Sequence, residues 1–68
     1  MSHTTEYTVT GMTCEHCVAS VTEEVQEVAS VTEVTVDLST GGLRVTSDQP
    51  LSDADVRAAV EEAGYQLA

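Results

Sequence analysis

Cys14 and Cys17, the only cysteines of the chain, flank His16 in the run Gly11-Met12-Thr13-Cys14-Glu15-His16-Cys17. Two thiols three residues apart can do three kinds of chemistry. A structural disulfide is the least useful of them, because closing so short a loop constrains the unfolded chain little. A redox dithiol gains from a helix N-terminus, which lowers a thiol pKa. Here Glu15 lies between the thiols and opposes thiolate formation, and Pro50, the only proline, precedes a helix and offers the dithiol no partner. A metal site fits better. Thiolates select soft ions such as Cu(I) over hard cations. Zinc normally takes four ligands, and this chain offers two cysteines plus His16 or the distant His3. A site with only two protein ligands stays open to a thiolate from a second protein, which suits transfer better than storage.

The elements that must present this run are legible in the hydrophobic spacing. Tyr7 and Val9 alternate with polar residues over Glu6–Thr10, a strand pattern closed by Gly11. From Cys17 the period changes. Val18, Val21, Val25 and Val28 form one helical stripe, with Glu23, Glu24 and Glu27 largely opposite. The spacing predicts a helix from about Glu15 to Val28. Valine and threonine are indifferent helix formers, so periodicity rather than propensity carries this reading. Val34, Val36 and Leu38 mark a second strand, Ser39–Gly42 a turn, and Leu43, Val45 and Ser47 a third strand paired with the second as a hairpin. After the break at Asp48-Gln49-Pro50, Ser52 and Asp55 resemble a capping box, with Leu51 and Val56 at the staple positions. Val56, Ala59, Val60 and Ala63 form a second helical stripe, Gly64 fits its C-terminus, and Tyr65-Gln66-Leu67 is a short last strand.

The order β-α-β-β-α-β, in two similar halves, predicts an α+β fold. It is a ferredoxin-like sandwich, a four-stranded antiparallel sheet with both helices on one face, and residues 1–68 form a single domain. A chain of 68 residues buries only about 60% of the surface it exposes when unfolded. Eleven valines and no Phe, Trp or Ile imply a small, valine-rich core.

Charge excludes several classes. Two Lys+Arg against twelve Asp+Glu give a net charge of −10, and both basic residues are arginines, Arg44 and Arg57. Phosphate backbones and anionic membranes repel such a chain, so it is expected to bind neither nucleic acid nor membrane. No apolar run approaches the roughly 20 residues of a membrane span. The N-terminal residues lack a basic region followed by an apolar stretch, and a cytoplasmic location is expected.

The seven-residue run resembles the G-M-T-C-x-x-C signature of heavy-metal-associated domains, and Gly64-Tyr65 is similar to the Gly-Tyr of the bacterial copper chaperones in that family. The likeness extends over nearly the whole chain and includes the βαββαβ order. It implies a stand-alone cytoplasmic Cu(I) chaperone, a carrier and not an enzyme. Such a protein passes copper by thiolate exchange to a copper-transporting P-type ATPase, and a copper-sensing repressor is a further partner of this kind. By the same resemblance Cys14 and Cys17 are the ligands. Met12 packs inward beneath the loop and is not a ligand, and Tyr65 lies near the loop and shapes it.

For His16 two readings stay open. One is a solvent-facing loop residue. The other is an auxiliary or bridging ligand, or a tuner of the thiols. His3 is read as a passive residue of a frayed terminus. The helix 1 glutamates are either a solvated face or a docking surface for a basic partner. Three other functions compete with the carrier. One is a buffer that pairs, through bridging copper, chains that are monomeric when metal-free. Another is a small dithiol oxidoreductase. The third is a carrier of Zn, Cd or Hg, against which Thr13 stands as the copper-type residue by resemblance.

Overall fold

In the computed structural model, which describes residues 2–68, the elements follow the expected order. They are β1 (His3–Thr10), α1 (Glu15–Gln26), β2 (Val31–Asp37), β3 (Gly42–Ser47), α2 (Asp53–Glu62) and β4 (Gln66–Leu67). The sheet order is β2-β3-β1-β4 and every pair is antiparallel. α1 therefore crosses over β3 to join β1 to β2, and α2 crosses over β1 to join β3 to β4. This is the interlocked split βαβ arrangement of the ferredoxin-like sandwich.

Alternation along the strands builds the core. Val9, Leu43 and Val45 point from the sheet toward Val21 and Val25 of α1 and Val56, Ala59 and Val60 of α2, and all eight are buried. Tyr7, Met12, Val34, Val36, Tyr65 and Leu67 pack around this cluster. Ser47 is the one buried polar residue among those described. Its hydroxyl donates to the Gln49 carbonyl at 2.6 Å, which removes the cost of an unpaired buried hydroxyl. On the opposite face Glu6 and Arg44 are cross-strand partners, 3.6 Å apart and exposed, a pair that contributes little.

Several boundaries differ from those read in the sequence. β1 begins at His3 rather than Glu6, and His3 pairs with Ser47 instead of fraying. α1 ends at Gln26 rather than Val28. The N–H groups of Glu27 and Val28 bond back three residues to Glu24 and Val25, and Ser30 takes a positive φ of 71°. These tighten the last turn and redirect the chain, so β2 starts at Val31. Ser52 does occupy the N-cap of α2, yet its side chain makes no capping hydrogen bond. Its carbonyl accepts the N–H groups of Asp55 and Val56, the first bonds of the helix. Leu38 lies outside β2, because Asp37 closes the hairpin. The Asp37 carboxylate accepts both the N–H and the hydroxyl of Ser39, at 3.0 and 2.7 Å, and its carbonyl accepts the Gly41 N–H at 2.8 Å.

That hairpin turn is tied to the strand leading to the cysteines. The Val9 N–H donates to the Gly41 carbonyl at 2.7 Å. Gly41 has φ +77°, and a Cβ there would lie 2.7 Å from the Val9 carbonyl oxygen. Gly41→Ala therefore combines a disfavoured conformation with a backbone clash. We expect it to lower unfolding stability by about 2 kcal/mol. In a thermal melt of a domain this small, that is a fall of about 10 °C in Tm.

Candidate metal centre

Cys14 and Cys17 lie where β1 and the following loop run into α1. Cys14 is the N-cap, in an extended conformation, and no side chain caps the helix. Its carbonyl accepts the N–H groups of Cys17 at 3.0 Å and Val18 at 3.4 Å. The first turn thus folds the second cysteine back beneath the first, and the two sulfurs stand 3.6 Å apart as free thiols. Their exposure is unequal. Cys14 is exposed, and Cys17 is buried at 8% relative accessibility.

The surroundings favour a thiolate at Cys17. Its pKa is lowered from 9.0 to about 6, first by the main-chain N–H of Thr13, then by the Tyr65 hydroxyl and the main-chain N–H of Cys14, against the opposing effect of burial. The Thr13 hydroxyl lies 3.9 Å from the same sulfur. The Cys14 N–H belongs to the uncapped N-terminus of α1 and the Thr13 N–H to the loop just before it, a usual setting for a depressed thiol pKa.

The sequence places Tyr65 there through the end of α2. Gly64, with φ +96°, follows the C-cap Ala63. Its N–H bonds to the Glu61 carbonyl, and the Tyr65 N–H bonds to the Val60 carbonyl. This is a Schellman ending, which requires a residue that tolerates positive φ at that position. It turns the chain so that the Tyr65 ring packs against Gly11, with Cδ1 3.5 Å from where a Gly11 Cβ would sit. The hydroxyl reaches Cys17, and the phenol pKa is raised in turn, chiefly by that hydrogen bond. Tyr65→Phe removes the donor and keeps the ring. A pH titration of thiolate ultraviolet absorbance should show the Cys17 pKa rising above its native value of about 6 while the fold is retained.

Met12 is half-buried and packs against the core. His16 is exposed in the first turn of α1. Among the described residues no three His, Cys, Asp or Glu side chains converge, so His16 and His3 do not complete a three-ligand set with the thiols. One neighbour was missed by sequence reasoning. Leu38 joins Cys14, Glu15 and His16 around a shallow depression of about 440 Å³. Strand alternation hid it, because the turn that carries Leu38 to the loop depends on the Asp37 carboxylate rather than on hydrophobic spacing.

A ferredoxin-like sandwich with a paired, half-exposed dithiol at the entrance to its first helix defines a small metal-binding domain. The chain belongs to the heavy-metal-associated domain family, whose profile matches residues 6–66. The copper chaperone CopZ of Bacillus subtilis is 39% identical over 61 residues, covering 88% of each chain. Among solved structures, a CopZ metallochaperone superposes with a TM-score of 0.90 at 27% identity, covering 97% of this chain and 100% of its own. A copper-binding domain of HMA7, a P-type ATPase, superposes with a TM-score of 0.88 at 29% identity, covering 100% and 92%.

Proposed function

We propose that this protein is a cytoplasmic Cu(I) chaperone that carries one ion on Cys14 and Cys17 and passes it to a copper-transporting P-type ATPase. The observation that carries the reading is the unequal dithiol, one sulfur buried and held as thiolate, the other exposed. Soft thiolates in a site with no third protein ligand suit a cuprous ion better than zinc. Among the described residues no helix is long and apolar enough to cross a membrane. The similarity to copper chaperones over most of the chain supports the same reading.

The exchange follows from the exposure. A linear ion between two thiolates, at metal–sulfur distances close to the roughly 2.3 Å of a zinc–thiolate bond, needs sulfurs about 4.6 Å apart, more than the 3.6 Å seen here. Loading therefore requires one sulfur to move outward. Cys14 is the exposed one, while Cys17 is held by Thr13 and Tyr65. In transfer, an acceptor thiolate forms a third sulfur–copper bond and the bond to Cys14 breaks; a second acceptor thiolate then bonds to the ion as Cys17 leaves last. Copper stays cuprous throughout, and with a pKa of about 6 Cys17 departs at neutral pH largely as the thiolate, with no proton needed. The protein is a carrier with no catalytic turnover.

Charge guides the encounter. Glu23, Glu24, Glu27 and Glu62 crowd along the helices. The Glu24 pKa is raised by burial and then by Glu27, Glu62 and Glu23. An acceptor with a basic surface is attracted at long range, an effect on association rate that salt screens.

The test is to mix copper-loaded protein with the metal-free N-terminal metal-binding domain of a copper-transporting P-type ATPase under anaerobic conditions. The two are then separated by charge and their copper measured. Copper should appear on the acceptor within the mixing time, and more slowly as salt is raised. Copper that stays on this protein contradicts the reading. A buffer would instead pair through the exposed Cys14, and sedimentation at rising copper loading would show dimers.

A further inference from the structure

Leu38 is the one large hydrophobic side chain exposed among the described residues, at 37% relative accessibility. It stands at the rim of the metal loop, beside Cys14, Glu15 and His16. Its backbone is firmly set. Asp37 grips Ser39 through its carboxylate and Gly41 through its carbonyl. The Thr40 hydroxyl accepts the Gly42 N–H at 3.1 Å, and the Gly41 carbonyl accepts the Val9 N–H. The turn is thereby anchored to the end of β1, the strand that leads into the cysteine loop. An apolar side chain held on such a turn loses little freedom when a partner covers it.

We propose that Leu38 is a contact residue for the copper acceptor, seating an apolar side chain that lies beside the acceptor's own thiolate. The inference rests on the chaperone reading above and adds a residue outside the cysteine loop. Its ground is geometric. An acceptor sulfur must come within bonding distance of an ion held on Cys14. Any protein surface that approaches so closely also covers the depression Cys14 shares with Leu38. The occupant is therefore the acceptor's dithiol domain. Glu15 on the same rim favours an acceptor with a cation next to that apolar side chain. A Leu38 that served only to shield the copper within this chain would act on affinity and not on transfer.

The experiment compares wild type, Leu38→Ser and Leu38→Met as anaerobic copper donors to the same ATPase domain, with the transfer rate followed against acceptor concentration. Leu38→Ser should raise the half-saturating acceptor concentration by about fivefold. It should leave the limiting rate, the chelator-measured Cu(I) affinity and the apo-protein melting temperature unchanged. Leu38→Met should behave as wild type. An unchanged concentration dependence in Leu38→Ser overturns the proposal. So does a change in Cu(I) affinity in the absence of acceptor, which would assign Leu38 to shielding. If the wild-type donor gives no copper to the acceptor, the chaperone reading itself fails, and the Leu38 assignment with it.

Discussion

Cys14→Ser and Cys17→Ser should each abolish chelator-resistant Cu(I) binding, and the double variant should retain none. Removing a group that merely orients a ligand costs about 10–100-fold in metal affinity. Removing one of the two proposed ligands should cost more, since among the described residues no His, Asp or Glu converges with the two thiols as a third donor. Anaerobic competition with a chromogenic chelator, followed by gel filtration and copper analysis, checks this. The fold should survive both changes. Cys14 is exposed, and Cys17 sits at the edge of the valine core rather than within its main cluster. His16→Ala is the contrasting variant. It should leave affinity and copper stoichiometry unchanged, because the exposed imidazole is not gathered with the thiols.

Copper affinity should be nearly flat from pH 8 to 7 as far as Cys17 is concerned, and should fall steeply below pH 6. With a pKa of about 6, Cys17 is about nine-tenths thiolate at pH 7. Below that pKa, copper must displace a proton from the sulfur, and the apparent affinity loses about tenfold per pH unit from this group alone. The same shift is linked to the stability of the metal-free protein. The folded-state pKa is depressed from 9.0, so the stabilisation from the Cys17 thiolate is fully present above the unfolded value. It is lost progressively as the pH falls from about 9 to about 6. The difference in melting temperature between wild type and Cys17→Ser, measured across that range, isolates this contribution. It should shrink as the solution is acidified.

The fold was legible in the sequence because its core is periodic. Val21 and Val25 in α1, Val56, Ala59 and Val60 in α2, and Val9, Leu43 and Val45 in the strands are all selected by the spacing and buried, whereas Val18, read into the same stripe, is half-buried and outside the core cluster. The ends of elements were less legible, because polar and backbone contacts set them. His3 to Thr5 carry no hydrophobic alternation, yet they extend β1 by pairing with β3. Ser52 has the sequence of a capping residue and sits at the N-cap, but its side chain makes no capping hydrogen bond.

The same division holds at the site. Cys14 and Cys17 stand out by type and spacing, and Met12 and Tyr65 through the likeness to the heavy-metal-associated signature. Gly64 also shows why Tyr65 arrives where it does, since a Schellman ending is written in a helical stripe followed by glycine. The asymmetry of the two thiols was not legible in such detail. It depends on the main chain of Thr13 and on a phenol half a hundred residues away in sequence. Leu38 was hidden for a related reason, since its place beside the loop follows from an Asp37 side chain folding onto Ser39.

Two thiolates, with no third protein ligand among the described residues, suit the proposed carrier to Cu(I) and not to zinc. The most direct test is anaerobic titration of the reduced protein with Cu(I) and Zn(II) in parallel, each against a chelator of known affinity. One Cu(I) per chain should be held tightly, dependent on Cys14 and Cys17, and zinc should be so weak that the chelator removes it. Zinc that survives the chelator while Cu(I) does not, or Cu(I) binding that persists in the Cys14→Ser/Cys17→Ser variant, would contradict the Cu(I) assignment.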